Sequence, residues 1–278
     1  MIERAAGLNS RALEAIAELE QRVTAVDGGR LKLEWDSLRG RTSDRVDDLL
    51  WWEGGQLLGF LGIYTFSDPA ELAGMVAPTR RRRGIGSALL DAALALCRER
   101  SERAPLLVVP RQSSGGKALA LGRGGTLDHS EHHLVLEGPP AGAPGGPEIT
   151  LRQATAEDEP RILAWMEQGF GSSAHEDFSR RMRRTTVIEL EGRAVGTMII
   201  DRDYEEEAGI FGFVVEESLR GRGIGRAALR QACVQVRADG AALVSLDVDV
   251  ANDHALGLYT SVGFRRVMTE DYYALPLS

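Results

Sequence analysis

Apolar and polar positions in the second half of the chain follow two rhythms. Residues 149–154, ITLRQA, alternate like a half-buried strand, whereas 156–170, AEDEPRILAWMEQGF, carry apolar residues at helical spacing behind an acidic first turn. TTVIEL (185–190) and AVGTMIID (194–201) read as a hairpin around Glu191, Gly192 and Arg193, with AGIFGFVV (208–215) as a third strand. A helix over about 223–238, a strand at 242–250, a short helix over about 253–262 and a last strand at 264–275 close the series. The order predicts an α/β fold class of the mixed α+β kind, with one βαβ-like passage.

The first half repeats this pattern. EGGQLLGFLGIY (53–64) matches EGRAVGTMII (191–200), and RRRRGIGSALL (80–90) matches RGRGIGRAALR (220–230), at an offset of about 139 residues, right for a duplicated domain and too long for a solenoid unit. Between the copies, GPPAGAPGGP has no hydrophobic periodicity and several helix- and strand-breaking residues. The expected division is therefore 1–137, a linker at 138–147, and 148–278. A chain of 278 residues, 43% hydrophobic and 27% charged, has material for two cores. The N-terminus lacks a secretory apolar core and no apolar run nears the roughly 20 residues of a membrane helix, so a cytoplasmic protein without membrane contact is expected. Cys97 and Cys233 fall inside helical patterns, one per copy, and are expected as small core residues.

The chemistry centres on FVVEESLRGRGIGRAAL. Here a strand passes through a polar turn into a helix whose start is bared by Gly221, Gly223 and Gly225. Amides of such a turn, with the helix dipole, bind a phosphate or pyrophosphate, and Arg220, Arg222 and Arg226 add charge-assisted contacts. Gly223, Gly225 and Ala228 also satisfy the dinucleotide pattern, with Asp247 where a ribose-binding acid would stand. Against a nucleotide-dependent oxidoreductase, five residues separate Val215 from Gly221, and three strands precede the loop.

Arg220-Gly221-Arg222-Gly223-Ile224-Gly225 resembles the R/Q-x-x-G-x-G/A signature of the GCN5-related N-acetyltransferase family, and Asn252, Ala255, Leu258, Tyr259, Gly263 and Phe264 match its N-x-x-A-x-x-L-Y-x-x-x-G-F segment. The resemblance implies two tandem acyl-CoA domains, with acetyl-CoA as co-substrate and a small-molecule or peptide amine as acceptor. It implies that Phe213, Val214 and Val215 flank the pantetheine arm, with an amide near Val215 polarising the thioester. Tyr259 would protonate the sulfur, and Asn252 would bond pantetheine or cap its helix. Asp247 and the run Glu205, Glu206 and Glu207 are candidate bases, the run being equally a solvated hairpin. Trp165, Phe170, Phe178 and Tyr204 are expected as core or as the acceptor side. Acceptor specificity belongs to 157–184 and the last strand.

In the first copy Arg81, Arg82, Arg83, Gly84, Ile85, Gly86 and Ser87 match the loop after Met75 and Val76, so this half is also a candidate for coenzyme A. Aligning Gly124 with Gly263 puts Ala120 where Tyr259 stands, so this half is expected to be catalytically silent. A sensor that binds acyl-CoA without chemistry is the contrasting reading. The arginine run suits one small phosphate ligand, and a net charge of −8 opposes a nucleic-acid face. His129, His132 and His133 do not share one face of a strand, which speaks against a metal site.

Overall fold

The computed structural model describes residues 1–41, 44–65, 68–100, 103–142, 146–170, 182–204 and 207–277. They form two compact units, Met1–Ser130 with Met268–Ser278, and Glu131–Val267. This differs from the expected division at 138–147. Residues 131–137 pair within the second unit and 270–274 within the first.

The first unit runs β1 (Ile2–Ala5), α1 (Ser10–Asp27), α2 (Trp35–Gly40), β2 (Asp48–Glu53), β3 (Gln56–Tyr64), β4 (Glu71–Val76), α3 (Ile85–Glu99), β5 (Leu106–Pro110), α4 (Ser114–Leu121) and the start of β6 (Thr126–Glu137). Its sheet order is β1-β2-β3-β4-β5-β12, where β12 spans Arg265–Ala274. Helix α1 begins where the Asn9 side chain accepts the Ala12 amide, and it buries Ala12, Ile16, Leu19 and Val23, one stripe at helical spacing.

The second unit contains the rest of β6, then β7 (Ile149–Gln153), α5 (Glu159–Phe170), β8 (Thr185–Leu190), β9 (Arg193–Tyr204), β10 (Glu207–Val215), α6 (Ile224–Ala238), β11 (Leu243–Asp249) and α7 (Asp253–Val262). Its order is β6-β11-β10-β9-β8-β7. The β8–β9 hairpin turns at Glu191 and Gly192, both at positive φ (52° and 75°), as do Gly54 and Gly55 between β2 and β3. In each unit one parallel pairing, β4 with β5 or β10 with β11, interrupts an otherwise antiparallel sheet, unlike the all-parallel start of a dinucleotide fold.

Each unit is completed by a strand from the far half of the sequence. Glu270–Ala274 pair antiparallel with Leu106–Pro110, and Glu131–Glu137 with Leu243–Asp249. The 138–147 stretch is not a free tether in its described parts. Arg230 Nη1 donates to the carbonyls of Pro140, Ala141 and Gly142, and the Ala141 amide donates to Val262 O at 2.7 Å. Cys97 and Cys233 are buried and outside any disulfide, as expected of small core residues.

Candidate acyl-transfer site

In the second unit β10 and β11 pair at Glu207–Leu243, Ala208–Val244 and Gly209–Ser245, after which no pairing joins them. The strands part. A β-bulge lies in the unpaired stretch: Phe211 opposes Ile199 and Val214 opposes Thr197, so β10 carries one residue more than β9. Gly212, at φ +52°, supplies the left-handed conformation. The bulge turns Val214 into the cluster under α5, with Ile162, Trp165, Met166 and Ile199, while Phe213 and Val215 pack toward α6.

Beyond Val215 the chain reaches α6 through the arginine–glycine loop. Gly223 caps the helix at φ +82°, offering no side-chain hydrogen bond, and Gly221 is at φ +76°. The amides of Ile224, Gly225 and Arg226 open the helix without intrahelical partners, the chemistry an anion requires. A Cβ on Gly225 would stand 3.4 Å from Leu258, 3.7 Å from Phe213 and 3.8 Å from Val215, so a bare backbone faces a closely walled space. A pyrophosphate fits this start. Arg220 is partly committed elsewhere, its Nε donating to Val215 O at 3.1 Å and bracing the loop on the strand end. Arg81 repeats the bond to Val76 O at 3.2 Å and also holds Asp27 through both guanidinium Nη atoms.

Helix α7 starts at Asn252, whose Oδ1 accepts the Ala255 amide at 3.0 Å, so this side chain is a cap. Seven residues on, Tyr259 is 9% exposed, its ring 6.1 Å from that of Phe264, and burial pushes its hydroxyl up to about 12. The phenol therefore keeps its proton throughout the neutral range. Asp247 lies on β11 beyond the last position paired with β10, and its carboxylate Oδ1 accepts from His133 Nδ1 at 2.8 Å. Sequence reasoning set His133 aside with the metal question, because the register that puts it opposite Asp247 is a tertiary fact. Among the described residues no cluster suits a metal ion, and no helix is long and apolar enough to cross a membrane.

Glu207 is not simply solvated, since it accepts the Ser245 hydroxyl. Glu205, Glu206 and Phe178 lie outside the described residues, as do the surroundings of the Tyr204 side chain. Trp165 is buried in the α5 cluster and Phe170 is exposed.

The first unit copies the frame without the phenol. Strands β4 and β5 pair at Glu71–Leu106 and Leu72–Leu107 and then part, Gly84 caps α3 at φ +84°, and Arg82 takes φ +60° where the second unit has Gly221. Beside the loop is a cavity of about 770 Å³ lined by Val76, Arg81, Gly86, Ser87, Val109 and Gly116, among others. Met75 is buried in the core, and Arg82 and Gly84 also reach the cavity wall. The Gly125 amide bonds Ala120 O at 3.0 Å as the Phe264 amide bonds Tyr259 O at 3.1 Å, so the two positions are structural equivalents. Strand β4 carries no bulge against β3.

This doubled frame agrees with a family model described as "Acetyltransferase (GNAT) family", which matches residues 13–120 and 150–264. The chain belongs to the GNAT acetyltransferase family. It is 28% identical over 97% of its length to a mycothiol acetyltransferase from Thermomonospora curvata, of which the match covers 96%. A GCN5-related N-acetyltransferase from Sphaerobacter thermophilus shares the fold with a TM-score of 0.78 at 20% identity, over 99% of this chain and 96% of that one. A tandem GNAT protein from the clavulanic acid biosynthesis pathway superposes with a TM-score of 0.74 at 20% identity, over 100% and 98%. As a GNAT enzyme the chain is an N-acetyltransferase that uses acyl-CoA and an amine, on two tandem GNAT domains.

Proposed function

We propose that this GNAT protein moves an acetyl group from acetyl-CoA to a primary amine of a small molecule or peptide, with the second unit as the transfer site. The observation that carries the assignment is Tyr259 standing where the first unit has Ala120. In this reading the amides and arginines of 220–226 hold the pyrophosphate, and Phe213, Val214 and Val215 border the pantetheine arm in the gap left by β11. Asn252 steadies the start of the helix that carries Tyr259, and its Nδ2 is left to donate to pantetheine. A phenol held near 12 hydrogen-bonds the sulfur as negative charge grows there and gives up its proton late.

The first unit, in our reading, binds acyl-CoA in its cavity through Met75, Val76, Arg82, Arg83, Gly84, Gly86 and Ser87 but transfers nothing. The cavity supports binding, and Ala120 supports silence. Calorimetric titration of acetyl-CoA tests both statements. Wild type is expected to bind two equivalents, with Gly86→Glu and Gly225→Glu each losing one and amine acetylation disappearing with Gly225→Glu alone. No binding by wild type sinks the reading, and transfer lost with Gly86→Glu but kept with Gly225→Glu reverses the roles.

A further inference from the structure

The side chains on β11 divide between two faces. Val244, Leu246 and Val248 belong to the core beneath α6, so Ser245, Asp247 and Asp249 face the opposite side, the side on which α5 packs against β9 and β10. Asp247 stands two residues beyond the last β10–β11 pair, about 7 Å along the strand, where the sheet has opened. The strand on its other side is β6, and the residue directly opposite is His133. His133 is 5% exposed, and its Nδ1 lies 2.8 Å from Asp247 Oδ1. Among the described residues its Nε2 has no partner. The neighbouring acid on this face, Glu207, is held by Ser245, and Glu131 and Asp249 form the next pair along the two strands.

We propose that His133 is the general base of acetyl transfer and that Asp247 is its positioning residue, a claim that rests on the second unit being the transfer site. A carboxylate at Nδ1 fixes the tautomer that leaves Nε2 bare and stabilises the imidazolium once it forms. An alkyl amine reaches the enzyme as an ammonium and cannot attack until a proton leaves. That proton goes to His133, and the freed nitrogen lone pair forms the new C–N bond at the thioester carbonyl. The C–S bond breaks with its electron pair on sulfur, and the sulfur takes the Tyr259 proton. The second proton shed by the acylated nitrogen restores the phenol through solvent. Overall one proton is released per amide formed, from His133. The base thus comes from a strand encoded in the first half of the chain, which the exchange of strands delivers to the second unit.

Two amines separate this role from a structural one. Butylamine is protonated at neutral pH, whereas trifluoroethylamine is already free base. Free thiol released from acetyl-CoA reports transfer to each. With His133→Gln, butylamine transfer is expected to fall about 100-fold and trifluoroethylamine transfer by less than about threefold, with acetyl-CoA affinity unchanged. Asp247→Asn should give the same selective loss, in kcat and not in the KM for acetyl-CoA. Equal losses for the two amines, or no loss, overturn the assignment. Wild type that acetylates neither amine counts against the transfer reading itself, and the base is then judged without an acceptor. A two-bond proton–nitrogen correlation spectrum of the wild type should show His133 protonated on Nδ1 and bare on Nε2; the reverse tautomer overturns the proposal.

Discussion

Tyr259 and Ala120 end their helices with the same backbone bond to the residue five positions on, yet one carries a phenol and the other a methyl group. In the proposed reaction that single difference separates a unit that can protonate a thiolate from one that cannot. Tyr259→Phe keeps the ring against Phe264 and the packing under α6, so acetyl-CoA affinity should hold while kcat falls by about 100-fold. Pre-steady-state release of free thiol measures this, and unchanged turnover would remove Tyr259 as the acid. At this scale much of the proposed site was legible: glycines that bare a helix start and a phenol at fixed spacing are local facts. The partners of long side chains were not. Nothing local places Arg220 on Val215 O or His133 beside Asp247, because both depend on where strands end and how they pair.

At the scale of elements, periodicity found the strands and helices of 149–275 and the β8–β9 turn, and did not reach α1 or α2 in the first half. It also predicted 208–215 as one plain strand. The extra residue at Gly212 and Phe213 is a relation between β10 and β9, invisible in either sequence alone. Its presence in β10 and absence in β4 is a second asymmetry between the units. Gly212→Ala asks an L-residue to hold φ +52° and brings a Cβ within 2.9 Å of Met166 Cε. A stability loss of about 1–3 kcal/mol is expected. Calorimetric melting should register it, and titration should show weaker acetyl-CoA binding in the second unit with first-unit binding preserved. Equal weakening at both sites would detach the bulge from cofactor binding.

For the molecule as a whole, the duplication was readable and the exchange was not. Aligned on Gly124 and Gly263, the two strands carry Ser130-Glu131 against Thr269-Glu270, so local pattern does not tell which sheet each one completes. Sequence proximity therefore misassigned both. A break introduced at 143–145 should leave two fragments that stay together, because each holds a strand the other needs. A tag on the first fragment should retain the second through gel filtration, and separation of the two would refute the exchange.

The same arrangement sets an order of events during synthesis. The ribosome delivers β1 to β5 first, but their sheet gains its last strand when residues 268–278 emerge, after the whole second unit has been made. The earlier of the two units to leave the tunnel is thus the later to be finished. Its β5 edge waits unpaired, open to a neighbouring nascent chain, for as long as translation continues.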